Sequence, residues 1–125
     1  MAETEQIWAV DALAALAHET RLTVFRKLVQ AGPEGMMAGE IAQACNVPPS
    51  TMSHHLANLE RARLAISQRE SRVIRYRAHY DGMRRLMGFL MENCCQGDPR
   101  LCADLPELAA CPREEGASAD ARLAQ

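Results

Sequence analysis

Apolar positions recur at helical spacing along most of the chain, and one short interval alternates instead. Over residues 5–17, Ile7, Trp8, Val10, Leu13 and Leu16 stand among alanines, an apolar spread wider than a single stripe. A helix apolar on more than one side packs on two partners, so this one hints at a dimer interface. His18-Glu19-Thr20 breaks the run. Leu22, Phe25, Leu28 and Val29 then set a second helix over about 19–31, ended by Gly32-Pro33-Glu34-Gly35. A short helix over residues 38–45 is closed by Asn46-Val47-Pro48, and another runs from there to Arg61.

That fourth helix has two distinct sides. At about 100° per residue, Met52, Leu56, Leu59 and Arg63 share one face, while Ser50, Ser53, His54, Ala57 and Arg61 lie on or beside the opposite one. Small hydroxyl residues are mediocre helix formers but suit contacts to phosphates and base edges. Alone, the segment reads equally well as an ordinary amphipathic helix. Its neighbours decide between the readings. Two short helices joined by a tight turn match a helix-turn-helix, whose second member lies in the major groove.

The alternating interval follows directly. Residues 64–69 alternate in part, Glu70-Ser71 turns, and 73–78 alternate again, with Ile74, Tyr76 and Ala78 on one face and Arg75 and Arg77 on the other. Helix-turn-helix plus hairpin predicts a mainly α winged helix. A last helix over 80–95 carries Met83, Leu86, Met87, Leu90 and Met91 as one continuous stripe. With the core largely accounted for, that stripe is expected to pack on a second copy, giving a homodimer through the first and last helices.

Composition adds little until charge is divided. The net charge of −2 looks poor for a nucleic-acid binder, but residues 61–77 hold six arginines (61, 63, 69, 72, 75, 77) against one acid, Glu70. The 125 residues favour one domain. Residues 1–97 are read as the DNA-binding and dimerisation domain, and 98–125 as a tail, cysteine-bearing and then flexible. No apolar run approaches the roughly 20 residues of a membrane span. The acidic N-terminus lacks a basic leader region, so the protein is read as cytoplasmic.

Five cysteines sit at 45, 94, 95, 102 and 111, four of them within 18 residues. An odd count in a reducing compartment disfavours a disulfide framework. The cluster asks for a metal or redox explanation, whereas lone Cys45 reads as a small core residue.

Two stretches carry a family resemblance. Ala14-Ala15-Leu16-Ala17-His18-Glu19-Thr20-Arg21-Leu22 and Pro49-Ser50-Thr51-Met52-Ser53-His54-His55-Leu56 resemble the ArsR/SmtB family of metal-responsive repressors, over about residues 7–95. The resemblance implies a dimeric winged helix that binds an inverted-repeat operator and leaves it when metal binds. Glu92-Asn93-Cys94-Cys95 through Cys102 looks like the arsenic-sensing branch with thiols at the end of the last helix. A second arsenic branch carries Cys-x-Cys before the recognition helix; here Cys45 stands alone. Zinc sensors carry Asp and His ligands on the last helix, and here only His79 and Asp81 stand near its start.

As(III) is soft and thiophilic and takes three thiolates as a pyramid. Cys94 and Cys95 lie about 100° apart on a helix, so they need a loosened helix end, which Gly97 and Pro99 supply, and the turn can bring Cys102 back to the pair. The expected ligands are therefore Cys94, Cys95 and Cys102 for As(III) and Sb(III), with Cys111 a spare. A thiol redox sensor and a four-thiolate zinc site remain the alternatives. Expected DNA contacts are Ser50, Thr51, Ser53 and His54 on the recognition helix and Arg69, Arg72 and Arg75 on the wing. No base or pocket residue accompanies the cysteines, so an enzyme is not expected.

Overall fold

The structure, a computed structural model, describes residues 2–92. Small side chains decide how the first helix, α1 (Ala2–Leu16), sits. Ala9, Ala12 and Ala15 are buried and let its backbone approach the rest of the fold closely. Trp8 is half-buried beside them and donates its indole N–H to the Ala62 carbonyl at 3.0 Å. The large apolar residues point the other way: Ile7, Val10 and Leu13 are 63%, 56% and 42% exposed.

Helix α2 (Glu19–Ala31) starts on His18, whose Nδ1 accepts the Thr20 amide at 3.1 Å, and it buries Val24, Phe25 and Leu28. A 3-10 turn, Gly32–Glu34, follows. Gly35 has φ of 65°, and a Cβ there would collide with the Tyr76 carbonyl, so only glycine fits. That close pass lays Met36–Met37 down as strand β1. The sequence reading missed this strand, because two residues are too few to show an alternation.

Helix α3 (Ala38–Cys45) and helix α4 (Pro49–Arg61) come next, then strands β2 (Ala65–Glu70) and β3 (Val73–Ala78) and helix α5 (Tyr80–Leu90). The antiparallel sheet has the order β1-β3-β2. Its hairpin register sets Ala65 opposite Ala78, Ser67 opposite Tyr76 and Arg69 opposite Ile74. The core gathers Leu28, Ile41, Met52, Leu56, Leu59 and Leu64 between α2, α3, α4 and the base of the sheet.

Two expectations change here. Arg63 does not share the buried face of α4. The helix stops at Arg61, and Arg63 takes a left-handed φ of 63°, exposed, with its amide bonded to the Glu60 carbonyl and the Leu64 amide to that of Leu59. This is the usual helix-terminating bond pair, here without the customary glycine. Its rigidity matters downstream: a Cβ on Gly82 would strike the Arg63 carbonyl, so α5 packs directly on this turn. The second change concerns α5, expected over 80–95. It ends at Leu90 with Met91 and Glu92 in a turn, and 93–95 lie outside the described residues. Nothing in the residues around Leu90 explains the stop. Of its stripe, Leu86 is buried, Met83 and Met87 are half-buried, and Leu90 and Met91 are exposed.

The expected boundary at residue 97 also falls outside the described residues. Among the described residues, no helix is long and apolar enough to cross a membrane.

Candidate nucleic-acid interface

The turn between α3 and α4 is set by Asn46. Its φ and ψ of 55° and 48° are left-handed, a conformation asparagine tolerates better than most residues. The Val47 amide reaches back to the Ala42 carbonyl at 3.0 Å and closes the end of α3. Pro48 is extended, and Pro49 opens α4 where its missing N–H costs no helical bond. At the other end of α3, Glu40 accepts the Met37 amide at 2.9 Å. The two helices then share Ile41, Ala42, Met52 and Leu56 in the core.

With Met52, Leu56 and Leu59 facing in, α4 turns Ser50, Thr51, Ser53, His54 and Arg61 to solvent. Hydroxyl, imidazole and guanidinium groups thus line the solvent side of a helix whose other side is packed into the core. Such a face can donate to and accept from base edges and phosphates.

Three fixings hold this helix in place. Trp8 bonds the carbonyl of Ala62 just past its end. Ser67 on β2 donates to Glu60 Oε2 at 2.7 Å, joining helix to wing. Behind the helix, Arg21 Nε donates to the Ala15 carbonyl at 2.6 Å while its Nη1 lies 3.4 Å from His55 Nδ1. The His18 and His55 rings stand 4.7 Å apart, tilted by 50°. Burial first, then the charges of His18, Arg21 and His54, holds His55 below the ordinary histidine value. Sequence reasoning expected a partly buried His55 but not these contacts, since 34 residues separate it from Arg21.

The wing arginines do not form one patch. Arg69 lies opposite Ile74 on the face that carries Ser67 and Tyr76, whereas Arg75 lies opposite Gln68 on the other face. Arg72 is exposed at the hairpin turn. Arg75 is also engaged: its Nε pairs with Glu70 at 3.0 Å and its Nη1 donates to the Glu34 carbonyl at 3.1 Å. Tyr76, under the wing, has its hydroxyl pushed above the ordinary range by burial and, less, by Glu60.

Cys94, Cys95, Cys102 and Cys111 lie outside the described residues. Cys45 is a half-buried free thiol packed against the core. Among the described residues, no group of three or more His, Cys, Asp or Glu side chains could hold a metal ion.

Known proteins are similar to this chain in sequence and fold. A helix-turn-helix domain model matches residues 16–68. The chain is 36% identical over 59 residues to the uncharacterized HTH-type transcriptional regulator YceK of Bacillus subtilis, covering 47% of this chain and 58% of that one. Among solved structures, an ArsR-like transcriptional regulator from Rhodococcus sp. RHA1 is similar at 27% identity and a TM-score of 0.63, over 83% of this chain and 94% of that one. NolR from Sinorhizobium fredii is similar at 29% identity and a TM-score of 0.57, over 72% and 87%. The chain spans less than two thirds of the length of the curated relatives it matches, 58% and 66%.

The fold is a winged helix-turn-helix, and the similar proteins are named as transcriptional regulators, one of them as ArsR-like.

Proposed function

We propose that this protein is an arsenite- and antimonite-responsive transcriptional repressor that binds an inverted-repeat operator as a homodimer. The observation that carries the DNA part is the exposed polar face of α4, held behind by an apolar face that is fully buried. Ser50, Ser53 and His54 read base edges in the major groove, with Thr51 at its border. Arg69 and Arg72 meet the sugar-phosphate backbone or the minor groove. Arg75 does so only by leaving Glu70, so its share is smaller.

The outward apolar face of α1 supports self-association. Ile7, Val10 and Leu13 would be covered by a second copy, which places two recognition helices at a fixed spacing.

The control element rests on sequence alone. Three thiolates, Cys94, Cys95 and Cys102, match what As(III) takes, and soft ligands select soft centres. Ligation close to the expected dimer contacts would alter the spacing of the recognition helices. Linkage then requires operator DNA to weaken As(III) binding by the same factor.

The test is a titration of binding to a duplex that the protein selects from a random-sequence pool, at fixed salt, with arsenite, zinc or peroxide. Arsenite should release the wild type, and Cys→Ser at 94, 95 or 102 should abolish release. Unchanged affinity in arsenite sinks the metal reading. Release by peroxide but not by arsenite would make this a thiol redox sensor of the same fold.

A further inference from the structure

The two stretches that carry the family resemblance meet in space, on the side of α4 away from its exposed polar face. Arg21 sits at the centre. Its Nε holds the Ala15 carbonyl at the end of α1, and its Nη1 reaches His55 on the inner flank of α4. A single guanidinium, fixed in its own plane, therefore spans the α1–α2 corner and the recognition helix. On the far side of α4, Ser50, Ser53 and His54 face solvent.

We propose that Arg21 is a positioning residue for the recognition helix, acting through the bare Nδ1 of His55, and that protonation of His55 releases this joint and weakens DNA binding. The inference rests on the DNA-binding reading above and adds a dependence on pH to it.

The chemistry has one direction. Arg21 only donates, so a hydrogen bond to His55 needs the neutral tautomer with its proton on Nε2. Protonation puts a second donor at Nδ1, facing Arg21, and adds a cation beside one already there. The other groups around His55 do not relieve this. His18 faces it from the α1–α2 corner, and His54 stands next to it on α4; both are bases. The charges that bear on His55, those of His18, Arg21 and His54, all oppose its protonation. Asp11, on α1, lines the same cleft as Arg21, together with Arg61 of α4.

The lowered His55 value agrees with this geometry: the joint is intact above the ordinary 6.5 and is lost as pH falls through the lower folded value. His54 faces outward, on the side proposed to meet DNA. A control that leaves His54 in place is therefore required.

The experiment compares the wild type with Arg21→Gln and His55→Asn on the selected duplex, at about pH 8 and at a pH below the His55 titration that NMR gives. The amide oxygen that His55→Asn introduces would keep an acceptor near the position of Nδ1, and it cannot titrate. We expect the wild type to bind about tenfold more tightly than Arg21→Gln at the higher pH, the scale of a hydrogen bond to a charged group. That advantage should shrink below about twofold at the lower pH, where the joint is already open. His55→Asn should gain on the wild type by a similar factor over the same interval.

A merely structural Arg21 leaves the ratio independent of pH, and a constant ratio overturns the proposal. Should Arg21→Gln fail to fold by circular dichroism, the His55→Asn comparison decides alone. A DNA-free measurement runs alongside: the imidazole titration of His55, followed by NMR, should move up in Arg21→Gln, and an unmoved titration overturns the joint. If no duplex is enriched from the pool, the DNA reading fails, while the NMR titration still tests the joint.

Discussion

Helix α4 buries Met52, Leu56 and Leu59 and turns serines and a histidine to solvent, whereas α1 buries three alanines and exposes Ile7, Val10 and Leu13. Both carry large apolar residues, but of the two only α4 turns them to the core. The difference shows what each helix is finished by. The fold of one chain completes α4, and what remains outside is polar and fit for a polar partner. It leaves α1 with its largest apolar surface in water, a surface that a second chain would cover.

The sharpest way to test the α4 half is to remove its anchor. Leu59 is fully buried, so Leu59→Ala should lose about 2–5 kcal/mol of stability, read by denaturant unfolding. A loss below about 1 kcal/mol would mean that α4 is not anchored by its apolar face. The matching change on α1 should act differently. Val10→Glu leaves the folded monomer nearly as stable but exposes the dimer to a buried charge. Losing one buried aliphatic contact is worth about 1.5–3 kcal/mol, roughly a tenfold or larger rise in the dimer dissociation constant. Sedimentation equilibrium would show it, and a wild type that is monomeric at all concentrations would end the comparison.

On the outer face of α4 the expected effects are smaller and of another kind. Ser53→Ala and His54→Ala should each weaken binding to the selected duplex by about 1–3 kcal/mol, the worth of a specific base contact. Stability should move by less than about 0.5 kcal/mol, since neither side chain is buried. A large stability loss without a binding loss would make this face structural. On the wing, Arg72→Gln should lower the salt slope of binding by about one, with little change in sequence preference.

Most of this contrast can be read from the chain, and the omissions have physical reasons. The helix spans from α2 up to Arg61 follow from apolar spacing and from Gly, Pro and Asn at their ends, whereas the first helix, expected over 5–17, runs Ala2–Leu16. So does the polar face of α4, because helical period alone assigns its residues. What period cannot supply is pairing between distant segments. The Arg21–His55 contact, the two-residue strand β1 and the opposite faces taken by Arg69 and Arg75 all depend on tertiary register. Treating every arginine between 61 and 77 as one basic stripe overlooked that Arg75 has Glu70 and the Glu34 carbonyl as partners. The left-handed Arg63 was equally hidden, since glycine is the expected residue there.

The smallest effect concerns how α1 is tied to α5. Glu5 accepts from Arg85 Nε and Nη2 at 2.9 and 3.2 Å, and the same guanidinium lies 4.5 Å from the Trp8 ring. The hydrogen bond to Arg85, ahead of its charge, holds the Glu5 carboxyl below the ordinary 4.5; burial opposes it. Because the folded value is the lower one, this pair stabilises the fold above the ordinary carboxylate range, and the contribution is lost as pH falls through the lowered value. Both side chains are solvent-accessible, so water and salt screen the pair. Glu5→Gln should therefore leave the melting temperature near neutral pH almost unchanged, and should slightly flatten its fall between neutral pH and acid. Arg85→Ala should cost more than Glu5→Gln, because it also uncovers the face of Trp8, the residue whose indole holds the end of α4. If the two variants melt alike at neutral pH, Arg85 is only a charge partner. If Arg85→Ala also weakens DNA binding, the outward-facing helix and the recognition helix are coupled through Trp8, and the two plans are not independent.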